Sequence, residues 1–330
     1  MSGFICFDLE GPLSPQDNAY DLMSLLLPQG NRVFEAISRY DDLLTLEGRQ
    51  GYEPGDTLAL IAPFLICHGI TEQDIRKLAQ EARLSAGAAD LITTLQSNNW
   101  RVFCISTSYD HYALTITSRL HIPKERVACT SLPLSQCVEN MQKDTLRMLE
   151  QAEREIVSID LTDDIRLKEY LDELFWNRLT ATQAGNLIRQ VRPVGGSRKV
   201  MALEEFSKEH GQPISGFAVV GDSITDSKML EAVDLAGGMS IAFNANEYAL
   251  SSATASLAST HLSDLEPILS AWEQGGRRAV QQAMQEQKST KENYDRRNFH
   301  WSAGTAIPSS IFAVHRRIRR VVRVEAAKLG

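Results

Sequence analysis

The sequence predicts an α/β fold, a doubly wound parallel sheet with an inserted helical cap, on three observations. Four apolar, β-prone runs, "GFICF", "WRVFCIS", "GFAVVG" and "GGMSIAFN", each give way to polar or glycine residues and then to a helical pattern. The first two runs are separated by 92 residues, far more than a crossover between parallel strands requires. Carboxylates and hydroxyls gather at the carboxyl ends of the runs, which is where a doubly wound sheet carries its site.

The first run closes on Asp8, Leu9, Glu10, Gly11 and Pro12, and Gly-Pro marks a turn. A spacing of two puts Asp8 and Glu10 near one side of an extended backbone, where they repel unless a cation or a proton intervenes. Residues 14–95 carry several helical stretches and are read as a helical cap; "TEQDIRKLAQEA" opens on Thr71 with Glu72 behind it, an N-cap pattern. The second run ends in Ser106, Thr107 and Ser108, hydroxyls that can hold an anion together with the N–H groups of a following helix. Residues 122–194, with "SQCVENMQKDTLRMLEQAERE" and "DDIRLKEYLDELFWNRL", are read as a second helical insertion.

"GGSRKVMALEEF" then sets Arg198 and Lys199 at a helix start behind Gly195 and Gly196, where a lysine reaching inward would neutralise phosphate or a carboxylate. Arg198, Lys208 and Lys228 compete for that role. In "VVGDSITDSKML" the strand ends at Gly221, Asp222 follows, and Asp226 comes four residues later. The core is thus expected from 1–13, 96–121 and 195–270, with 271–330 a helical, basic extension that looks loose near 285–300.

Four carboxylates at one sheet edge stabilise a fold poorly but suit a hard cation such as Mg²⁺, which takes oxygen ligands and keeps several waters. Asp8, Glu10, Asp222 and Asp226 are the candidate metal residues. With the hydroxyls of Ser106, Thr107 and Ser108 and the lysine, the set describes a phosphoryl-transfer site.

In this order, "DLEG", the Ser106 of "CISTS", the lysine of "GGSRK" and "GDSITD" resemble the four motifs of the haloacid dehalogenase superfamily of aspartate-nucleophile phosphatases. The resemblance spans Asp8 to Asp226, places the first insertion as a C1-type cap, and is strongest to the phosphoserine phosphatase and homoserine phosphotransferase branch, some of whose members carry DLEG. The opening "DLEGPLSPQDNAY", with "YDD" and "GYEPGDTL", also resembles an archaeal and bacterial group named as subunit R of an energy-converting hydrogenase. The resemblance implies Asp8 as nucleophile and Glu10 as acid and base, with Ser106 and Lys199 on the phosphoryl oxygens and Thr107, Ser108 and Gly11 near the phosphate. It implies Mg²⁺ on Asp8, the Glu10 main-chain carbonyl and Asp222, with Asp226 orienting metal-bound water or Lys199. Glu10 stands where the superfamily usually has Asp, which leaves water or another alcohol as the phosphoryl acceptor; the dehalogenases usually lack an acid there, so Glu10 argues for phosphate chemistry.

The expected activity is hydrolysis of a small phosphorylated metabolite. The rival readings are a phosphotransferase to a small alcohol and an accessory subunit of a larger complex. Composition agrees with an ordinary soluble chain: of 330 residues, 43% are hydrophobic and 23% charged. No apolar stretch is long enough to cross a bilayer and no signal region opens the chain, so a cytoplasmic location is expected. Cys6, Cys67, Cys104, Cys129 and Cys137 form no CxxC pair and read as core residues. His111 reads as a surface or packing residue, and Tyr40, Asp41, Asp42 and Tyr52 as solvated polar face of the cap.

The net charge of −8 is unevenly spread, since residues 276–330 hold twelve Lys or Arg against four Asp or Glu, leaving the remainder at −16. In the tail, Val314, Ile318, Val321 and Val322 fall near one helical stripe with arginines around them. Such a helix serves contact with a protein or an anionic surface, or packs on the acidic body of its own chain; the charge balance favours the second. Nucleic acid is not an expected partner.

Overall fold

The computed structural model describes residues 3–135, 141–288, 297–303 and 306–323; Cys137 lies outside them. Seven strands, β1 (Phe4–Phe7), β2 (Arg101–Tyr109), β3 (Val127–Thr130), β4 (Phe217–Gly221), β5 (Met239–Phe243), β6 (Ala255–Ser259) and β7 (Arg297–Trp301), form one sheet. Their order is β3-β2-β1-β4-β5-β6-β7. The first six pair in parallel and β7 runs antiparallel to β6. The chain leaves β1 toward β2 and β3, then returns to the other side of β1 as β4, so the strand order reverses there. A ligand crevice is expected outside the carboxyl ends of the strands flanking such a reversal. Asp8 and Asp222 are the first residues beyond β1 and β4, and the Asp8 N–H continues the ladder by donating to the Val220 carbonyl at 2.8 Å.

Four of these strands are the expected runs; β3, β6 and β7 are not. "VACT" is a short edge strand, "ASLAS" is built of small residues, and "RNFHW" is an edge strand, so none shows a long apolar β-branched run. Residues 122–194, read as helical, therefore begin with a strand before the helices Lys143–Val157, Asp164–Glu173 and Gln183–Gln190. The 271–330 stretch likewise contains β7, inside the region read as loose.

Five helices, Asn18–Leu26, Gly30–Leu46, Thr57–Cys67, Glu72–Glu81 and Ala88–Ser97, fill the long connection between β1 and β2. Thr71 closes a capping box at the fourth, with Asp74 as its partner rather than Glu72. Ten of the eleven residues of Thr57–Cys67 are buried, because this helix is sandwiched between Gly30–Leu46 and the later helices Lys143–Val157 and Gln183–Gln190. Arg39 pairs with Asp164, and the Tyr40 hydroxyl donates to Asp172 at 2.6 Å, joining the two helical insertions. Tyr40 and Asp41 are buried rather than solvated. Among the described residues no single helix is long and apolar enough to cross a membrane. Cys6 and Cys104 are fully buried core residues of adjacent strands.

The helix Ser309–Arg323 packs against β6. Its His315 is 1% exposed, and Nδ1 accepts the Ala245 N–H at 3.0 Å. Burial, then neighbouring His300 and Arg319, lower this imidazole from 6.5 to about 3. The unfolded chain takes up a proton near pH 6.5 that the folded chain refuses until about pH 3. The contribution to stability is thus complete above pH 6.5 and lost progressively as pH falls toward 3. Urea unfolding at pH 7 and pH 5 is expected to show His315→Gln, which keeps an acceptor but does not titrate, losing about 2 kcal/mol less than wild type on acidification.

Candidate active site

Lys199 lies in the first turn of the helix Ser197–His210 and is fully buried. Its Nζ donates to Asp8 Oδ1 at 2.7 Å and to Asp226 Oδ1 at 2.6 Å. The competing cations go elsewhere: Arg198 to Asp56, Lys228 to Glu53, and Lys208 to the surface. Two contacts hold the lysine's helix in place. Glu53 accepts from the Ser197 N–H at 3.1 Å, capping the helix N-terminus, where a carboxylate also opposes the macrodipole. Gly195 lets the Arg49–Asp56 loop come close, since a Cβ there would lie 2.0 Å from the Pro54 carbonyl oxygen.

Asp226 uses its second oxygen to accept the N–H groups of Asp222 (2.9 Å) and Ser223 (3.1 Å), so both its oxygens are engaged in positioning the loop and the lysine. Asp222 is 1% exposed; its Oδ2 carries protein donors while Oδ1 is buried with no protein partner. Gly11 lies against it with φ of +104°, and a Cβ at this position would fall 2.4 Å from Asp222 Cγ. Any side chain would therefore displace the carboxylate. Glu10 Oε1 accepts the Asn18 N–H at 2.5 Å. Burial, then the Asp17 charge, push the Glu10 carboxyl well above the usual range. Asp8 is pushed up to about 8 by burial and then by Asp226, with Lys199 pulling the other way.

Asp8, Glu10, Asp17, Asp41, Asp42 and Thr107 are among the residues lining a cavity of about 130 Å³ that also reaches Asp222. The three hydroxyl residues lie inside β2, which runs on to Tyr109, the N-cap of the helix that begins at Asp110. Ser106 Oγ accepts the Ser108 N–H at 3.1 Å, Thr107 Oγ1 donates to the Val194 carbonyl at 3.2 Å, and Ser108 Oγ is buried without a partner. Of the three, Thr107 alone lines the cavity. Asp41 and Asp42, read from sequence as solvated, face the same cavity from the cap; the Tyr52 hydroxyl donates to Asp41 at 2.6 Å. His111 sits away from the site, beside Arg76 and Glu72.

The sequence matches the family model of haloacid dehalogenase-like hydrolases over residues 58–263, a span that holds Ser106, Lys199, Asp222 and Asp226. The chain belongs to this family. The hydrolase superposes on a gene product from Archaeoglobus fulgidus with a TM-score of 0.88 at 27% identity, covering 100% of this chain and 99% of that one. A phosphoserine phosphatase solved as a phospho-aspartyl intermediate analogue gives a TM-score of 0.50 at 15% identity, covering 80% of this chain and 97% of that chain, a likeness of fold. No curated protein sequence matches this chain.

The hydrolase offers a fit for a divalent cation. Asp8, Asp222 and Asp226 each present an oxygen within 4.8 Å of the others, and the unpartnered Asp222 Oδ1 is a buried acceptor that a cation would satisfy. Two residues that sequence reasoning did not find complete the site: Arg319 and Arg323, from the far end of the chain, both donate to Asp222 Oδ2, the latter at 2.7 Å. The only signal for them is their spacing of four on the basic helix, which puts them on one face.

Removing one partner of a buried ion pair strands the others without solvation. Lys199→Met is expected to cost on the order of 3–5 kcal/mol in urea unfolding, and Lys199→Met combined with Asp226→Asn distinctly less. A loss below about 1 kcal/mol for the single variant would show that the lysine does not hold the carboxylates.

Proposed function

We propose that this hydrolase is a Mg²⁺-dependent phosphatase acting on a small phosphate monoester through an aspartyl-phosphate. The observation that carries the reading is the fully buried Lys199 ammonium bridging Asp8 and Asp226, beside a cavity lined by Asp8, Glu10 and Asp222. Asp8 is the nucleophile: a carboxylate oxygen attacks phosphorus while the bond from phosphorus to the leaving oxygen breaks. Glu10 gives that leaving oxygen its proton and then takes one from water, whose oxygen attacks phosphorus and returns Asp8 as a carboxylate with release of phosphate. Lys199 meets the charge that develops on the phosphoryl oxygens, and Thr107 supplies a hydroxyl from the cavity wall.

Asp8, the Glu10 main-chain carbonyl and Asp222 would hold Mg²⁺, with Asp226 orienting Lys199. The ion would supply charge neutralisation and in-line orientation of the phosphoryl group. The Asn18 N–H holds the Glu10 carboxyl, and Glu10 lines the cavity. A cavity of about 130 Å³ is well below the roughly 300–1,000 Å³ of drug-sized sites, which favours a compact ester over a macromolecule.

Phosphate release from a panel of small phosphate esters is expected to require Mg²⁺, to fall to background in Asp8→Asn, and to fall about 10²- to 10⁴-fold in Glu10→Gln. Hydrolysis that persists in Asp8→Asn would overturn the covalent mechanism.

A further inference from the structure

The helix Ser309–Arg323 buries a face that shares Ile318 with its apolar stripe but is turned toward its arginines. His315, Ile318, Arg319 and Arg323 point inward, whereas Val321 is 63% exposed. Two buried guanidinium groups would cost several kcal/mol each without compensation. Among the described residues, the hydrogen bonds they make lie beyond the carboxyl ends of the strands. Arg319 Nη1 donates to Asp222 Oδ2, to the Asp222 carbonyl at 3.1 Å and to the Asn244 carbonyl at 3.4 Å. Arg323 Nη1 donates to the same Asp222 Oδ2 at 2.7 Å and its Nε to the Pro15 carbonyl at 3.3 Å. One helix thus ties down the loops that follow β1, β4 and β5.

The charge count explains why a cation pair belongs there. Asp8, Glu10, Asp17, Asp41, Asp42 and Asp222 line the cavity and Asp226 lies behind it, while Lys199 is the cation facing Asp8. Ionised, those eight groups sum to −6, so one bound divalent cation would still leave a phosphate dianion facing −4. With Arg319 and Arg323 included, the site is −4 before and −2 after a divalent cation binds, half the negative charge that a phosphate would otherwise face. The arginines also occupy only one edge of Asp222, leaving Oδ1 free.

We propose that Arg319 and Arg323 are the active site's built-in counter-charge, positioning Asp222 for one-sided cation binding and weakening cation affinity in exchange for affinity toward a phosphate dianion. This rests on the phosphatase reading above. The C-terminal helix is then part of the site rather than a separable appendage.

The test is calorimetric binding of Mg²⁺ alone and of inorganic phosphate in saturating Mg²⁺ to the full-length wild type, Arg323→Met, Arg323→Lys and Asp222→Asn, with thermal melts alongside. Arg323→Met is expected to bind Mg²⁺ about tenfold more tightly and phosphate about tenfold more weakly, opposite shifts that simple damage to the site would not produce. Arg323→Lys keeps the charge and is expected to stay within about threefold of wild type on both, which maintains the test if the methionine variant does not fold. Weakening of both ligands in Arg323→Met, no change in either, or tighter phosphate binding, as a purely inhibitory helix would give, overturns the inference and leaves the phosphatase reading standing. A wild type that binds neither probe in a manner sensitive to Asp222→Asn overturns the phosphatase reading itself.

Discussion

The structure turns on one ammonium group. Lys199 is fully buried, and the carboxylates it bridges are buried too, Asp8 just beyond β1 and Asp226 beyond β4. Neither acid could be desolvated as an anion without it, and the lysine could not be desolvated without them. The arrangement fixes the two central strand ends relative to each other and to the start of the Ser197–His210 helix. The crevice at the strand-order reversal, which any doubly wound sheet has, becomes here a site of set geometry and set charge.

The cap depends on the same helix. Glu53 caps the helix that carries Lys199, and Asp56 pairs with Arg198, the residue beside the lysine. Asp41, through Tyr52 and the N–H groups of Gly55 and Thr57, anchors the other side of that loop to the Gly30–Leu46 helix. Asp41 and Asp42 on one side and Asp8 on the other therefore line one cavity, and the residues before β2 that face it are tied through this loop to the helix that holds Asp8's lysine. A second, larger cavity of about 390 Å³ lies behind the loop, between Tyr52, Trp176, Arg189 and Arg198, with Arg49 stacked 4.6 Å over the Trp176 ring. The loop is thus a partition, with one face toward Asp8 and the other toward an arginine-lined space.

How much of this was legible in the sequence follows from what periodicity can and cannot record. β1, β2, β4 and β5 are buried strands of a parallel sheet, and such strands read as apolar runs; the chemistry then stands at the first polar residue beyond each, as at Asp8 and Asp222. β3, β6 and β7 were not legible because "VACT", "ASLAS" and "RNFHW" sit at or near the edges, where small or charged residues suffice and pairing to a neighbour, not side-chain burial, defines the strand. In "CISTSYDHY" the hydroxyls mark a strand end correctly as polar, but the strand runs on to Tyr109, because β2 pairs with the late-starting β3 there. Tyr40 and Asp41 were misread as solvated for a related reason: their partners, Asp172 and Tyr52, lie 132 and 11 residues away, and only the fold brings them together.

The tail shows the same limit in sharper form. A stripe calculation treats arginine as an outward residue, so it turns the Ser309–Arg323 helix with its valines inward, although the chain's charge imbalance already argued that this basic segment would settle on its own acidic body. The balance named the partner correctly as a body, but gave no address. The address is a single carboxylate oxygen, Asp222 Oδ2, where two guanidinium groups from residues about 100 positions later converge. Burial of Arg319 and Arg323 is tolerable only because the site concentrates more negative charge than Lys199 offsets, and that concentration is tolerable in the absence of a cation only because the arginines are there. Helix and site are each the other's condition for being buried, so the C-terminal helix stabilises the fold through the chemistry of the active site rather than independently of it.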